Sequence, residues 1–161
     1  MAPHHVTYLK AWMDQMDQLA SRGLEEGPMF LQDCFGRSIV VDADEDSATF
    51  EYTIRKSECN FADNFHGGAM AALIDNLTTA ALFTQERKYF KFAGVSSDLH
   101  VTYVSAATNG TTVLIECKVT KVGASLANTS AVIKDKETGR IIATGLHTKF
   151  NNDSRMGGFK L

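Results

Sequence analysis

The sequence predicts a single α+β domain in which one long central helix is flanked, along the chain, by strands of a largely antiparallel sheet. Apolar residues recur with a helical period in two stretches, and between residues 95 and 150 they alternate with a period of two. Only two prolines occur, both before residue 30, so long helices and strands can follow without interruption. The 161 residues fit one domain, placed here at 1–150, and a tail at 151–161 that we expect to be disordered.

Composition and charge exclude several classes of protein. Apolar residues make up 44% and charged residues 22% of the chain, as in ordinary globular domains. The formal net charge of −3 lacks the basic excess of most nucleic-acid-binding proteins, so we expect no nucleic-acid partner. No apolar run reaches about 18 residues, and the N-terminus has no basic region followed by a long apolar core, so we expect no secretory signal. We therefore expect a chain without a membrane span.

The cysteines indicate a reducing compartment. Cys34, Cys59 and Cys117 are odd in number and widely spaced, which fits neither a disulfide framework nor a zinc site. We therefore expect no bound metal and a cytoplasmic location. The first 20 residues carry two aspartates and no arginine, which fits a mitochondrial transit peptide poorly but leaves import open.

One helix and two strands are predicted before the central helix. Residues 4–19 carry apolar side chains at helical spacing, and we expect this first helix to end near Gly23. Residues 25–35 show no regular pattern. Residues 37–42 and 48–55 are predicted strands joined by a turn at 44–47. In the second strand Phe50, Tyr52 and Ile54 share one face.

Four strands are predicted after the central helix. The first begins at residue 95, and its alternation places Ser97, Leu99 and Val101 on one face and Ser96 and Asp98 on the other. Three further strands cover residues 111–122, 125–135 and 140–150, with glycine-containing turns before each of them.

The central helix is predicted to need cover on two sides. Residues 69–87 contain neither glycine nor proline, which predicts a rod about 30 Å long. One narrow apolar stripe should lie on the sheet: Met70, Leu73, Ile74, Leu77 and Ala81. The opposite side is also small or apolar: Ala71, Ala72, Thr78, Thr79 and Leu82. Because one sheet cannot cover a helix all round, we expect a second subunit there and an oligomer of even order.

A carboxylate and several polar groups mark a candidate site on this helix. Asp75 is the only charge between residues 68 and 85 and points about 140° from the stripe, so it is either reactive or a hydrogen-bonded structural aspartate. At the start of the helix, Gly67-Gly68 lets a carbonyl approach unpaired backbone N–H groups, and Asn60 can add a side-chain donor. His66 is either part of this site or structural.

Four motifs, in order, carry a resemblance to a known family. They are H-G-G-x(4)-L-x-D from residue 66, G-V-S-x-D-x(4)-Y-x-S from residue 94, K-x-G-x-x-L-A from residue 121 and T-G-x-x-I-A-x-G-x-H-T-K from residue 138. Over residues 37–150 the chain resembles the PaaI-type hotdog-fold acyl-CoA thioesterases, in the form seen in the thioesterase-superfamily-member group. The resemblance implies a hotdog fold, a long helix wrapped by an antiparallel sheet, assembled as a homodimer or as a homotetramer of two dimers.

The resemblance also implies hydrolysis of an acyl-coenzyme A to a free acid and coenzyme A, without a cofactor. Asp75 would act across the dimer interface, as nucleophile or as base for a water that Ser96 holds. The Gly67 amide and Asn60 would polarise the thioester carbonyl, with His66 beside them in the motif. The coenzyme A arm would touch a further set of residues: Tyr103, Ser105, Lys121, Val122, Gly123, Ala124, Ser125 and Leu126.

The chain departs from the family pattern in three places, and other functions compete. Ala106 stands where a relative has proline, Ala124 where it has lysine, and residues 85–92 form a longer segment. A hotdog dehydratase would carry an Asp and a His five residues apart, a spacing that this sequence lacks. A non-catalytic acyl-CoA-binding or sensor protein is the alternative to an enzyme. It has no use for a buried carboxylate, so Asp75 favours the enzyme.

Overall fold

The computed structural model describes residues 4–22 and 34–156, so Gly23 and residues 25–33, named above, lie outside the described part of the chain. The helices are α1 His4–Arg22, α2 Cys34–Arg37, α3 Gly67–Ala80 and α4 Asp153–Met156. The strands are β1 Ile39–Ala43, β2 Ser47–Thr53, β3 Val95–Tyr103, β4 Thr112–Val122, β5 Leu126–Asp135 and β6 Ile141–Phe150. Two short 3-10 turns occupy Lys56–Glu58 and Ala81–Phe83.

The six strands form one antiparallel sheet in the order β1-β2-β4-β5-β6-β3. Each strand predicted from the alternation of apolar residues is present, with ends within about two residues of the prediction. The α+β class with a central helix on an antiparallel sheet is therefore confirmed.

Helix α3 lies against the sheet through the predicted stripe. Met70, Leu73, Ile74 and Leu77 are buried, and so is Ala81 in the following 3-10 turn. The helix sits close to strand β6 because Gly145 has no side chain: a Cβ built there would lie 2.7 Å from Cγ2 of Ile74. This contact fixes the height of α3 above the sheet.

Helix α3 is shorter than the sequence predicts. It ends at Ala80 after 14 residues, about 21 Å, instead of continuing to Arg87. The residues that follow are bound to the β1–β2 turn: Thr84 Oγ1 and Arg87 Nη2 both donate to the carbonyl of Glu45, each at 2.8 Å. Arg87 Nε also donates to the Leu82 carbonyl at 2.9 Å, which satisfies an acceptor left at the end of the helical segment. Side-chain attachments, rather than a helix-breaking residue, end the helix.

Cover for the second side of α3 comes partly from the chain itself. Thr78, Thr79 and Leu82 are buried within the single chain, and α1 contacts both α3 and the Ala81–Phe83 turn. Trp12 of α1 stacks on Phe83 with ring centroids 4.2 Å apart. The expectation that a second subunit covers this whole side is therefore wrong for its C-terminal half. Only the N-terminal half, with Ala71 and Ala72, stays half-buried.

Strand β3 forms one edge of the sheet and contains a β-bulge. It pairs only with β6, and the register shifts between Ser96 and Asp98. Ser96 lies opposite Lys149 and Leu99 lies opposite His147, so Ser96 and Leu99 share the face that looks towards α3. The predicted placement of Ser96 on the face opposite Leu99 is therefore wrong, because strict alternation does not allow for the extra residue.

The start of the predicted tail is helical. Within 151–161, Asp153–Met156 form one turn of helix, and residues 157–161 lie outside the described chain. The Asp153 carboxylate accepts hydrogen bonds from the backbone amides of Lys91 and Phe92, each at 3.1 Å. This contact ties the turn to the loop before β3. Among the described residues, no helix is long and apolar enough to cross a membrane.

Candidate active site

The start of α3 presents an unpaired backbone donor. His66 is the N-cap residue, and its Nδ1 accepts a hydrogen bond from the Gly68 amide at 2.9 Å. The Gly67 N–H has no acceptor within the described part of the chain. It lies at the positive end of the helix dipole, where a carbonyl oxygen that gains negative charge is stabilised. His66 therefore shapes the helix start that orients the Gly67 amide.

Asn60 offers a second donor in the loop before α3. Its side-chain oxygen accepts from the amides of Ala62 and Asn64, at 3.0 and 3.1 Å, and so closes a tight turn. Because the oxygen is engaged in the turn, the orientation of the side-chain amide is set. Its Nδ2 group, which has no acceptor among the described residues, is left as a donor of hydrogen bonds.

Asp75 and Ser96 form a pair in the same chain. Ser96 Oγ donates to Asp75 Oδ1 at 2.7 Å. The Asp75 side chain is 40% exposed and lies in the N-terminal half of α3 that the chain leaves uncovered. The pairing depends on the bulge in β3, since without the extra residue Ser96 would face away from the helix.

A buried histidine and a buried lysine lie beneath this pair. His147 is 1% exposed and Lys149 is 4% exposed, and both project from β6 towards α3. His147 Nε2 lies 3.0 Å from Ser96 Oγ and 3.2 Å from Asp75 Oδ1, and Lys149 Nζ donates to Ser96 Oγ at 3.3 Å. Burial, with a smaller effect of Lys149, lowers the pKa of His147 to about 4, so this imidazole is neutral at pH 7. Burial also lowers the pKa of Lys149.

Tyr103 and Ser105 lie at the other end of β3, beside the helix start. The Tyr103 hydroxyl donates to the Gly67 carbonyl at 3.0 Å, and the ring packs against Gly67. The Ser105 hydroxyl donates to the Ile141 carbonyl at 2.5 Å. This end of β3 therefore brings Tyr103 next to the Gly67 backbone.

The predicted 121–126 segment is the turn between β4 and β5. The Gly123 amide donates to the Leu126 carbonyl at 2.8 Å, which closes the turn, and Asn151 binds it from outside through the carbonyls of Ala124 and Ser125. Ala124 and Ser125 are exposed at its tip. The segment is thus an ordered and accessible hairpin end.

The single chain keeps the predicted site residues in two separate groups. Along α3, Gly67 and Asp75 are eight residues apart, about 12 Å of helix. Along β3, Val95 and Tyr103 are eight residues apart, about 26 Å. Leu126 pairs with Phe150, which is also the partner of Val95, so the β4–β5 hairpin lies at the Asp75 end. One group therefore holds Asp75, Ser96 and the hairpin, and the other holds Gly67, Tyr103 and Ser105.

Two residues of the Asp75 group carry no assigned role in the sequence-based site. His147 and Lys149 belong to the motif that begins at residue 138. Their positions in strand β6 could have shown that they point into the core. They alternate with Thr148 and so share a face with the buried Gly145, which directs an imidazole and an ammonium group into the core. Among the described residues, no group of His, Cys, Asp and Glu has a geometry that could hold a metal ion.

Comparison with known proteins identifies the family. The model of the Thioesterase superfamily matches residues 63–142. Acyl-coenzyme A thioesterase 13 of Homo sapiens is 38% identical over 114 residues, which cover 71% of this chain and 79% of the relative. The crystal structure of thioesterase superfamily member 2 from Mus musculus is 30% identical, with a TM-score of 0.72 over 93% of this chain and 98% of that chain. The PaaI protein of E. coli, at 16% identity, shares the fold with a TM-score of 0.65 over 91% and 98% of the two chains.

The fold and the family together define a hotdog-fold thioester hydrolase. The chain belongs to the Thioesterase superfamily, and it is similar to the member 2 and PaaI proteins that its four sequence motifs predict.

Proposed function

We propose that the protein hydrolyses the thioester of an acyl-coenzyme A at a site that two copies of the chain build together. The observation that carries the proposal is the separation of the site into two groups, one with unused donors and one with a carboxylate. The relative from Homo sapiens is named for the same reaction. Acyl-coenzyme A fits such a site because its polar arm can lie outside while the acyl chain enters an apolar interface.

The group at the helix start is suited to polarise the thioester carbonyl. Gly67 N–H and Asn60 Nδ2 are donors without acceptors in the described chain. A carbonyl oxygen that accepts from both gains charge as a nucleophile attacks, and fixed donors stabilise that charge without reorganising. The absence of a side chain at Gly67 leaves the approach to its amide open.

The group around Asp75 is suited to activate water. Ser96 donates to Asp75 Oδ1, which leaves Oδ2 without a hydrogen bond in the described chain and free to take a proton from a water molecule. Water attack and collapse of the tetrahedral intermediate then release the thiol and the free acid. Direct attack by the carboxylate is the alternative route. The two differ in the source of the new oxygen, which a single turnover in ¹⁸O-labelled water measures.

An antiparallel pairing of two β3 strands would join the two groups. Strand β3 is a nine-residue edge whose outer side pairs with no other strand among the described residues, and such an edge is a template for a second strand. Antiparallel pairing places the Tyr103 end of one copy beside the Ser96 end of the other. A two-fold axis makes two such sites in each dimer. The half-buried Ala71 and Ala72, which lie on the same face of α3 as Asp75, would be covered in the same step.

The same pairing would complete a surface for the coenzyme A arm. Tyr103 and Ser105 of one copy would come next to the β4–β5 hairpin of the other, with the cation of Lys121 near the phosphates. Lys121 and the tip of the hairpin are exposed, as a contact with a charged nucleotide requires. Assembly of two such dimers into a tetramer is compatible with this arrangement.

The experiment that tests the function measures free thiol released from a panel of acyl-coenzyme A substrates. We expect turnover with at least one of them, and binding without thiol release would favour the non-catalytic sensor. The decisive variant is Asp75→Asn, which keeps the shape and removes the charge. We expect kcat to fall at least about 100-fold, acyl-coenzyme A affinity to persist and the melting temperature to hold or rise. A loss of stability with wild-type kcat would make Asp75 a structural residue.

A further inference from the structure

We propose that His147 and Lys149 are positioning residues that aim the Ser96 hydroxyl at Asp75, an inference that rests on the proposed function. Neither residue reaches the surface where a substrate would bind, since both are buried beneath Ser96. Their effect would pass through Ser96 and Asp75. They would therefore raise kcat and leave substrate affinity unchanged.

The hydrogen-bond donors and acceptors around Ser96 Oγ support the assignment. Three groups lie within 3.3 Å of this oxygen, which has a single proton to donate: Asp75 Oδ1, His147 Nε2 and Lys149 Nζ. The ammonium of Lys149 can only donate, and an ionised Asp75 can only accept. The proton of Ser96 therefore goes to Asp75, and His147 Nε2 must carry a proton that it donates.

The other side of the imidazole completes this arrangement. Burial keeps His147 neutral at pH 7, so a proton on Nε2 leaves Nδ1 as an acceptor. Nδ1 lies 2.7 Å from the hydroxyl of Thr78, which is also 2.6 Å from the Ile74 carbonyl, so the Thr78 proton can serve either acceptor. With the Thr78 proton directed to Nδ1 rather than to the Ile74 carbonyl, the chain from Thr78 through His147 and Ser96 to Asp75 has a donor and an acceptor at every contact.

Lys149 supplies the only positive charge among the groups that face Asp75 within the described chain. From α3 the site receives Asp75 and Thr78, from β3 Ser96, and from β6 the neutral His147, whereas Asp98 pairs with Thr148 and lies on the other face of β3. Through its hydrogen bond to Ser96 Oγ, this cation holds the Ser96 hydroxyl in the orientation that donates to Asp75.

The kinetic test compares His147→Leu, His147→Gln and Lys149→Met with the wild-type enzyme. His147→Leu removes the hydrogen bond to Ser96 Oγ and should lower kcat about tenfold, whereas the Gln amide can still donate to Ser96 and restores most of the rate. In Lys149→Met, which loses a donor to Ser96 Oγ, we also expect a lower kcat. KM should stay within about twofold for each variant. His4→Leu and Lys118→Met, which change an exposed histidine and an exposed lysine, are the matched controls.

A spectroscopic measurement on the unmodified protein gives an independent readout. We expect ¹⁵N shifts of His147 at pH 7 to show a neutral ring protonated at Nε2. A ring protonated at Nδ1, or an imidazolium, would overturn the arrangement whatever the variants do. The inference also fails if Asp75→Asn loses activity while all three variants keep wild-type kcat. If Asp75→Asn itself keeps full kcat, the proposed function and this inference fail together.

Discussion

The two ends of strand β3 are built differently. At the Ser96 end, one carboxylate rests on a layer of buried polar groups, and each hydrogen-bonding atom of that layer has a partner. At the Tyr103 end, the Gly67 and Asn60 donors point outward with no acceptor in the described chain. A completed network suits a base whose position and charge must be fixed in advance. Donors without an acceptor suit a site that binds a substrate carbonyl.

Under the proposed function, the difference between the two ends makes a single chain half of a site. Each end supplies what the other lacks, but within one chain the Gly67 amide and Asp75 are about 12 Å apart along α3. A base can act on a polarised carbonyl only if the two meet, and the open edge of β3 gives a second copy a place to bring them together.

The largest effect at the donor end is expected for Gly67→Ala. The added methyl would lie 3.1 Å from Cζ of Tyr103 and would obstruct the approach of a carbonyl to the Gly67 amide. We expect kcat to fall about 10²- to 10³-fold, the usual result of losing one such donor. Circular dichroism should show an intact fold. Gly68→Ala is the matched control, because its methyl meets the His66 ring at the same 3.1 Å but leaves the Gly67 amide open. Equal kcat in the two variants would contradict the role of the donor.

The next effect concerns the assembly that joins the ends. Wild-type protein should sediment as a dimer or tetramer at micromolar concentration. Ala72→Arg places a long cation on the face of α3 that the second copy would cover, so we expect monomers. We expect kcat to fall in proportion to the fraction of monomer. Ala11→Arg places the same side chain on an exposed position of α1 and should change neither property. A monomeric Ala72→Arg that keeps full turnover would show that one chain suffices.

A smaller effect reports on the buried layer at the Ser96 end. The pKa of His147 is lowered from 6.5 to about 4 in the folded chain, chiefly by burial. As the pH falls from about 6.5 to 4, the unfolded chain therefore binds a proton that the folded chain does not. Folding stability is complete above this window and is lost as the pH falls through it, by about 2–3 kcal/mol. Urea unfolding at several pH values should show this loss in the wild type and a flatter dependence in His147→Gln. Parallel curves would mean that His147 is not buried in its neutral form.

The sequence predicts the fold closely because period and turn chemistry are local properties. The strands from residue 95 onward alternate clearly and are separated by glycine turns, and their ends agree with the structure. The end of α3 was not predictable in this way. Residues 81–87 include no helix-breaking residue type. The helix ends because Thr84 and Arg87 are hydrogen-bonded to Glu45, a contact between positions about 40 residues apart.

The site was predictable to the extent that it follows motifs, and it was missed where it depends on register. Asp75 and Gly67 follow from an apolar helix with one charge and a Gly-Gly start. The motif predicts Ser96 as a site residue, but strict alternation predicts that it lies on the wrong face. A one-residue bulge cannot be recognised from the pattern of apolar residues. His147 and Lys149 read as polar residues of a strand. Only the pairing of β6 with β3 shows that they lie beneath Ser96.

The most direct test of a site shared by two chains is complementation between two inactive variants. Asp75→Asn keeps the donors and lacks the base, whereas Asn60→Ala keeps the base and lacks one donor. In a mixed dimer, one of the two sites would combine the intact donors of the first chain with the intact Asp75 of the second. Random assortment of equal amounts should therefore restore about one quarter of the wild-type kcat, from heterodimers with one complete site. Mixtures no more active than the separate variants, with heterodimers present, would contradict the shared site.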